Sequence, residues 1–154
     1  MAIEWFVRNP KTIGGPGTEV EIDETYVFRR KYKLGRLPQN RVNEWLFGGV
    51  QRNTLGREVF LVSVQRRNAA TLLPLIQQYI LPGTRVISDQ WASYNQIQNL
   101  PQNYGHDAVN HRYHFIDPND ATIHTQNVEN MWLHFKRLNR PIDFIRILRY
   151  KIFL

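Results

Sequence analysis

The chain contains no cysteine, which excludes a disulfide framework and a thiolate zinc site and fits a reducing, intracellular compartment: the nucleus in a eukaryote, the cytoplasm in a bacterium. No stretch approaches the roughly 18 consecutive apolar residues of a membrane span. The opening MAIEWFVRNPK also lacks the apolar segment of a signal peptide. A soluble protein with no membrane partner is expected. Internal repeats and low-complexity tracts are missing too. Acidic residues are the minority charge, 13 Asp and Glu against 20 Lys and Arg, for a formal net charge of +7 and a pI near 10.0. That balance favours a polyanionic partner such as nucleic acid.

With 154 residues, 42% of them hydrophobic, the chain is long enough for one domain with a real core and too short to expect two. Its basic residues gather in two blocks, Arg29, Arg30, Lys31, Lys33, Arg36 and Arg41, then Lys136, Arg137, Arg140, Arg146, Arg149 and Lys151. The acids sit largely elsewhere. The most informative of them lie in Glu19 to Phe28, EVEIDETYVF, where Val20 and Ile22 alternate with Glu19, Glu21 and Asp23. A period of two points these carboxylates to one face of a strand. Side by side they repel, and either a solvated edge strand or a bound cation relieves that repulsion.

Residues 1–18 read as a lead-in, broken by Asn9-Pro10 and Gly14-Gly15-Pro16-Gly17. After the acidic strand, RRKYKLGRLPQNR is a basic loop, either solvated or laid against a nucleic-acid backbone. Glu44 to Gln51 and Arg57 to Gln65 complete a three-strand meander, and Gly48-Gly49 predicts a bulge or a close backbone approach. Leu72, Leu75, Ile76, Tyr79 and Ile80 are spaced for a helix over 69–80 with Asn68 as its N-cap. Thr84 to Ser88 is a short strand ending at Asp89, and Gln90 to Tyr94 leads into a second helix. Asp107 to Ile116 reads as a fifth strand. Val128, Met131, Trp132, Phe135 and Leu138 then form the apolar stripe of a last helix over about 125–138, with Glu129 beside the stripe. Trp91, Tyr94 and Trp132 are taken as core residues.

The order is thus three strands, a helix, a strand, a helix, a strand and a helix, which matches an α/β, RNase H-like fold: a five-stranded mixed sheet with flanking helices. EIDETY, VISDQWASY and HTQNVENMW followed by Lys136-Arg137 resemble the DDE motifs of the Merlin-type DNA transposases and related bacterial insertion-sequence (ISXO2-like) transposases. GGPG, LFGGV, LLPLI, LPGT and the VNH of Val109 to His111 fit the same family. The resemblance covers roughly residues 13–138.

It implies a catalytic domain for DNA strand cleavage and strand transfer, with Asp23, Asp89 and Glu129 as catalytic residues and ligands of two Mg2+ (or Mn2+) ions. Hard oxygen donors suit such ions, which would activate a water or a 3′ hydroxyl and stabilise the leaving oxygen. His124 and His111 would touch the scissile phosphate or a ligand carboxylate, or serve in capping and ordinary hydrogen bonding. Asn127 is the alternative third ligand, and Glu129 is preferred because it fits HTxxxE. Arg29, Arg30, Lys31, Lys33, Lys136 and Arg137 are the expected nucleic-acid backbone contacts. The partners implied are DNA, as transposon ends and target, and further copies of the chain as a homo-oligomer.

The expected organisation is a lead-in over 1–18, a catalytic domain over 19–138 and an atypical tail over 139–154. The family's usual amino-terminal recognition segment has no counterpart here, so a truncated or host-retained copy is expected. A non-catalytic DNA-binding or assembly module derived from a transposase is the competing reading, and a general RNase H-like nuclease the third.

Overall fold

The computed structural model describes residues 9–26, 45–54, 58–109, 120 and 122–138. Eight residues of the acidic segment form a strand, β2 (Glu19–Tyr26), preceded by a two-residue strand β1 (Ile13–Gly14). The meander continues through β3 (Trp45–Gln51) and β4 (Val59–Val64). Helix α1 (Ala69–Tyr79) follows, then β5 (Ile80–Leu81), β6 (Arg85–Asp89), β7 (Gly105–Val109) and helix α2 (Gln126–Leu138). The main sheet has the order β4-β3-β2-β6-β7. Its β2–β3 and β3–β4 pairs are antiparallel and its β2–β6 and β6–β7 pairs parallel. This is the five-stranded mixed sheet of the RNase H-like layout, with β2 at its centre.

Alternation along the strands divides the core in two. Val20, Ile22, Phe47, Phe60 and Val86 meet Leu72 and Ile76 of α1 on one face. Leu46, Val50, Val59 and Leu61 meet Val128, Trp132 and Phe135 of α2 on the other. Fully burying such side chains contributes about 1.5–3 kcal/mol each, so the two stripes are enough to dock both helices. Asn68 caps α1 as expected, its Oδ1 accepting from the Thr71 N–H at 3.1 Å.

The lead-in joins the fold. Ile13 is buried and β1 pairs in parallel with β5, while the Gly15 N–H donates to Thr84 Oγ1 at 2.8 Å and the Gly14 N–H to Gln51 Oε1 at 2.8 Å. A Cβ on Gly14 would lie 2.4 Å from Thr84 Oγ1, so the GGPG turn is a close-packed joint. Gly48 and Gly49 follow the close-approach alternative. Their register against Asp23 and Ile22 is unbroken, and a Cβ on Gly49 would meet the Phe60 ring at 2.4 Å.

The helix expected after Asp89 is instead two 3-10 turns, Ala92–Tyr94 and Ile97–Asn99. Ser and Asn side chains compete with helical backbone bonds there. The Trp91 N–H is already held by Asp89 Oδ1 and the Ser93 hydroxyl by the Arg67 carbonyl. The expected fifth strand is seen over Gly105–Val109, and its continuation over 110–116 lies outside the described residues, as do the basic loop and the tail. Among the described residues no helix is long and apolar enough to cross a membrane.

Candidate active site

The face of β2 that carries Glu19, Glu21 and Asp23 looks at α2 and splits into two halves. In the amino half the carboxylates are matched. Glu21 is wholly buried, and it accepts from Arg52 Nε at 2.6 Å, from the Asn127 N–H at 2.8 Å, from Asn127 Nδ2 at 2.7 Å and from the Val128 N–H at 3.0 Å. Two of those donors are first-turn amides of α2, groups that a helix cannot satisfy internally. A carboxylate from the sheet therefore caps the helix. Arg52 also donates to Glu19 at 2.9 Å and to the carbonyls of Thr122 and His124, each at 2.6 Å, which ties the segment entering α2 to the hairpin. Arg85 bridges Glu19 and Asp107, both at 2.6 Å. Burial alone would raise the Glu19 carboxyl, but Arg52 and Arg85 hold it below its ordinary value.

Asp23, two residues further on, has no such arginine partner among the described residues. Its carboxylate accepts from Trp132 Nε1, at 3.0 Å to Oδ2. Gly48 stands opposite Asp23 in the register, and a Cβ there would lie 2.9 Å from the Trp132 ring, so glycine is what lets the indole reach the aspartate. The parallel register ends with Glu21 opposite Ile87, two residues before Asp23 and Asp89 on their strands, and Asp89 is near enough to act on the Asp23 carboxyl. Burial, with the adjacent carboxylates Glu24 and Asp89, pushes the Asp23 carboxyl up to about 7 despite the backbone and Trp132 hydrogen bonds. Asp89 Oδ1 accepts the Trp91 N–H at 3.0 Å, which fixes its turn.

On the reverse face Glu24 is raised by burial and by Asp89, with Tyr94 and Arg67 opposing. Tyr94 is fully buried and its hydroxyl is raised well above its ordinary value by burial and by Glu24. The carboxyl end of β2 and β6 is therefore a concentration of incompletely matched acid.

Glu129 lies in the first turn of α2, exposed, with its carboxylate 3.3 Å from Thr125 Oγ1. At 100° per residue it falls on the flank away from Asn127, whose side chain reaches Glu21. Asn127 borders a polar cavity of about 410 Å3 beside Val50 and Arg52 of the hairpin. Among the described residues no three His, Asp or Glu side chains are gathered closely enough to hold a metal ion. Asp23 and Asp89 are brought together, and Glu129 stands apart in the first turn of the facing helix.

The other expected site residues divide. His124 Nδ1 is 3.5 Å from Glu21 Oε1, at the matched end of the acidic face. Asn127 donates to Glu21 from both its backbone N–H and its side-chain Nδ2. Lys136 and Arg137 are exposed in the last turn of α2. Arg29, Arg30, Lys31, Lys33 and His111 lie outside the described residues. Sequence reasoning missed Trp132 as a donor to Asp23, Glu24 as a further buried acid, and the exposure of Trp91. The available signal for Trp132 was its place one turn beyond Glu129, four residues after Val128 on the buried stripe.

Comparison with known proteins bears on this arrangement. The family described as ISXO2-like transposase domain matches residues 14–142. A Haemophilus influenzae protein described as an uncharacterized transposase-like protein is 27% identical over 97 residues, which is 63% of this chain and 75% of that protein. Among solved structures, a chain from the cryo-electron microscopy structure of a simian T-cell lymphotropic virus intasome in complex with the PP2A regulatory subunit B56 gamma is similar at 19% identity and a TM-score of 0.42. That similarity covers 87% of this chain and 48% of the other, so this chain spans about half its length.

Proposed function

The chain belongs to the ISXO2-like transposase domain family, and from that premise we propose that it is a metal-dependent catalytic domain for DNA strand cleavage and strand transfer. Asp23, Asp89 and Glu129 are its acidic centre. What supports this reading is that Asp89, at the end of β6, lies close enough to Asp23 of the adjacent parallel strand β2 to act on its carboxyl, where among the described residues no arginine pairs with Asp23.

The donor set fits a hard divalent cation. Asp23, whose charge burial and its acidic neighbours disfavour, with Asp89 beside it and Glu129 on the last helix, would gain from Mg2+ or Mn2+ what Glu19 and Glu21 gain from Arg52. When bound, two such ions supply an acidified water or 3′ hydroxyl and charge stabilisation of the leaving oxygen. The chain's own residues do the positioning. Trp132 holds one oxygen of Asp23, the Trp91 N–H holds one oxygen of Asp89, and the Glu21 cap fixes the start of the helix that carries Glu129. Lys136 and Arg137, together with Arg29, Arg30, Lys31 and Lys33, supply positive charge for the DNA backbone.

A nicking assay on supercoiled DNA tests the proposal. Cleavage is expected only with Mg2+ or Mn2+, and Asp89→Asn should lower it by about 1000-fold or more, the scale expected when transition-state charge loses its stabilisation. Equal cleavage by wild type and variant sinks the assignment. One observation favours a second reading, a non-catalytic DNA-binding or assembly module: the described residues gather no three-ligand metal group. That reading is supported if DNA is retained by Asp23→Ala while the wild type never cleaves.

A further inference from the structure

Beside the carboxyl end of β2 and β6, Trp45, Arg67 and Trp91 form a stack that runs from the edge of the core, where Trp45 packs, out to the half-exposed Trp91. The guanidinium carbon of Arg67 lies 4.3 Å from the Trp45 ring centroid and 4.2 Å from that of Trp91. The Arg67 carbonyl accepts from Trp91 Nε1 at 3.1 Å and from the Ser93 hydroxyl at 3.0 Å. Tyr26 extends the row, its ring centroid 4.9 Å from that of Trp45. The Trp91 N–H is the group that holds Asp89 Oδ1. Trp91 is therefore fixed at both its backbone and its indole nitrogen, two residues from the acid pair.

Despite this fixing, Trp91 is 37% exposed and Tyr26 36% exposed, against 4% for the core residue Trp132. The expectation that Trp91 is core does not hold. A rigid, half-open indole with a cation on one side presents a stacking surface that loses little freedom when it is used. The partner that fits is an unpaired nucleobase. Every base has a π-face, but a base inside a duplex already has a neighbour on each side. Trp91 is two residues from Asp89 and holds it through its backbone N–H, and Arg67 places positive charge beside the indole.

We propose that Trp91, backed by Arg67 and Trp45, is a stacking platform for an unpaired nucleobase of the DNA strand at the active site. The proposal rests on the transposase reading and names the form of DNA that the site takes. The test uses the full chain in metal-free buffer, with a short duplex that carries a single-stranded thymidine overhang containing 2-aminopurine, and the same duplex made blunt. Wild type should prefer the overhang by about 5- to 100-fold, the range for one stacked base, and should quench the 2-aminopurine.

Trp91→Ala should lose the preference and the quenching while binding the blunt duplex as before. Trp91→Phe, which keeps a π-face against Arg67, should retain most of both. An unchanged preference in Trp91→Ala overturns the proposal. So does a loss of binding to both duplexes in both variants with lowered melting temperatures, which makes Trp91 a packing residue. A chain that cleaves with Mg2+ but shows no overhang preference sinks the platform alone. A chain with the preference that never cleaves sinks the catalytic reading and keeps the platform.

Discussion

Glu21 and Asp23 stand two residues apart on the same strand and the same face, yet the protein treats their charges in opposite ways. Glu21 is buried among donors from Arg52, Asn127 and Val128, so its charge fastens α2 to the sheet. Asp23 is buried against Trp132 and faces Asp89, so burial and its acidic neighbours hold its carboxyl near 7. Both are desolvated. What separates them is whether the fold supplies a positive partner. Where it does, the carboxylate is structural, and where the described residues offer none, the carboxylate is left to seek a proton or a cation.

The largest effect should come from breaking the matched half. Glu21→Ala leaves Arg52 Nε and two helix amides without their acceptor in a buried place, and should cost about 3–5 kcal/mol in urea denaturation. A cost near zero would mean that the cap does not hold α2.

The unmatched half should respond with the opposite sign. Asp23 has its folded carboxyl at about 7 against an ordinary 3.8. Between those values the folded state keeps a proton that the unfolded state releases. Stability therefore falls as pH rises from about 4 to 7, and the full penalty stands above 7. Asp23→Asn removes the charge, so it should stabilise the metal-free chain at pH 8 by on the order of 2–4 kcal/mol. That gain should vanish toward pH 4. Added Mg2+ should narrow the gap by raising the wild-type melting temperature, and a variant less stable than wild type at pH 8 contradicts the contrast with Glu21.

A smaller change sharpens the comparison. Trp132→Phe keeps most of the packing on Gly48 but removes the donor to Asp23 Oδ2. It should cost about 1–2 kcal/mol at pH 8 and less at pH 5, where Asp23 already carries a proton. The Asp23 carboxyl, followed by NMR titration, should move further up.

Much of this was legible in the chain. Alternation in EVEIDETY placed Glu19, Glu21 and Asp23 on one face, and the helical spacing of Val128, Trp132 and Phe135 set the face of α2 that meets it. The division of that acidic face was not legible. Arg52 reaches Glu19 and Glu21 because of the hairpin register, and Arg85 reaches Glu19 because β6 enters beside β2. Nor did the sequence distinguish a buried Trp132 from a half-exposed Trp91, since both are tryptophans close to a motif acid.

By itself, then, the sequence determined the strand order and the first and last helices, though not the 3-10 turns after Asp89, together with the sides of those elements that turn inward and the acids at the strand ends and on the last helix. These are local properties, set by side-chain periodicity and motif spacing. Only the tertiary structure decided which carboxylates are neutralised, because charge compensation acts over a few Å between residues far apart in the chain, and register and helix docking alone bring them that close.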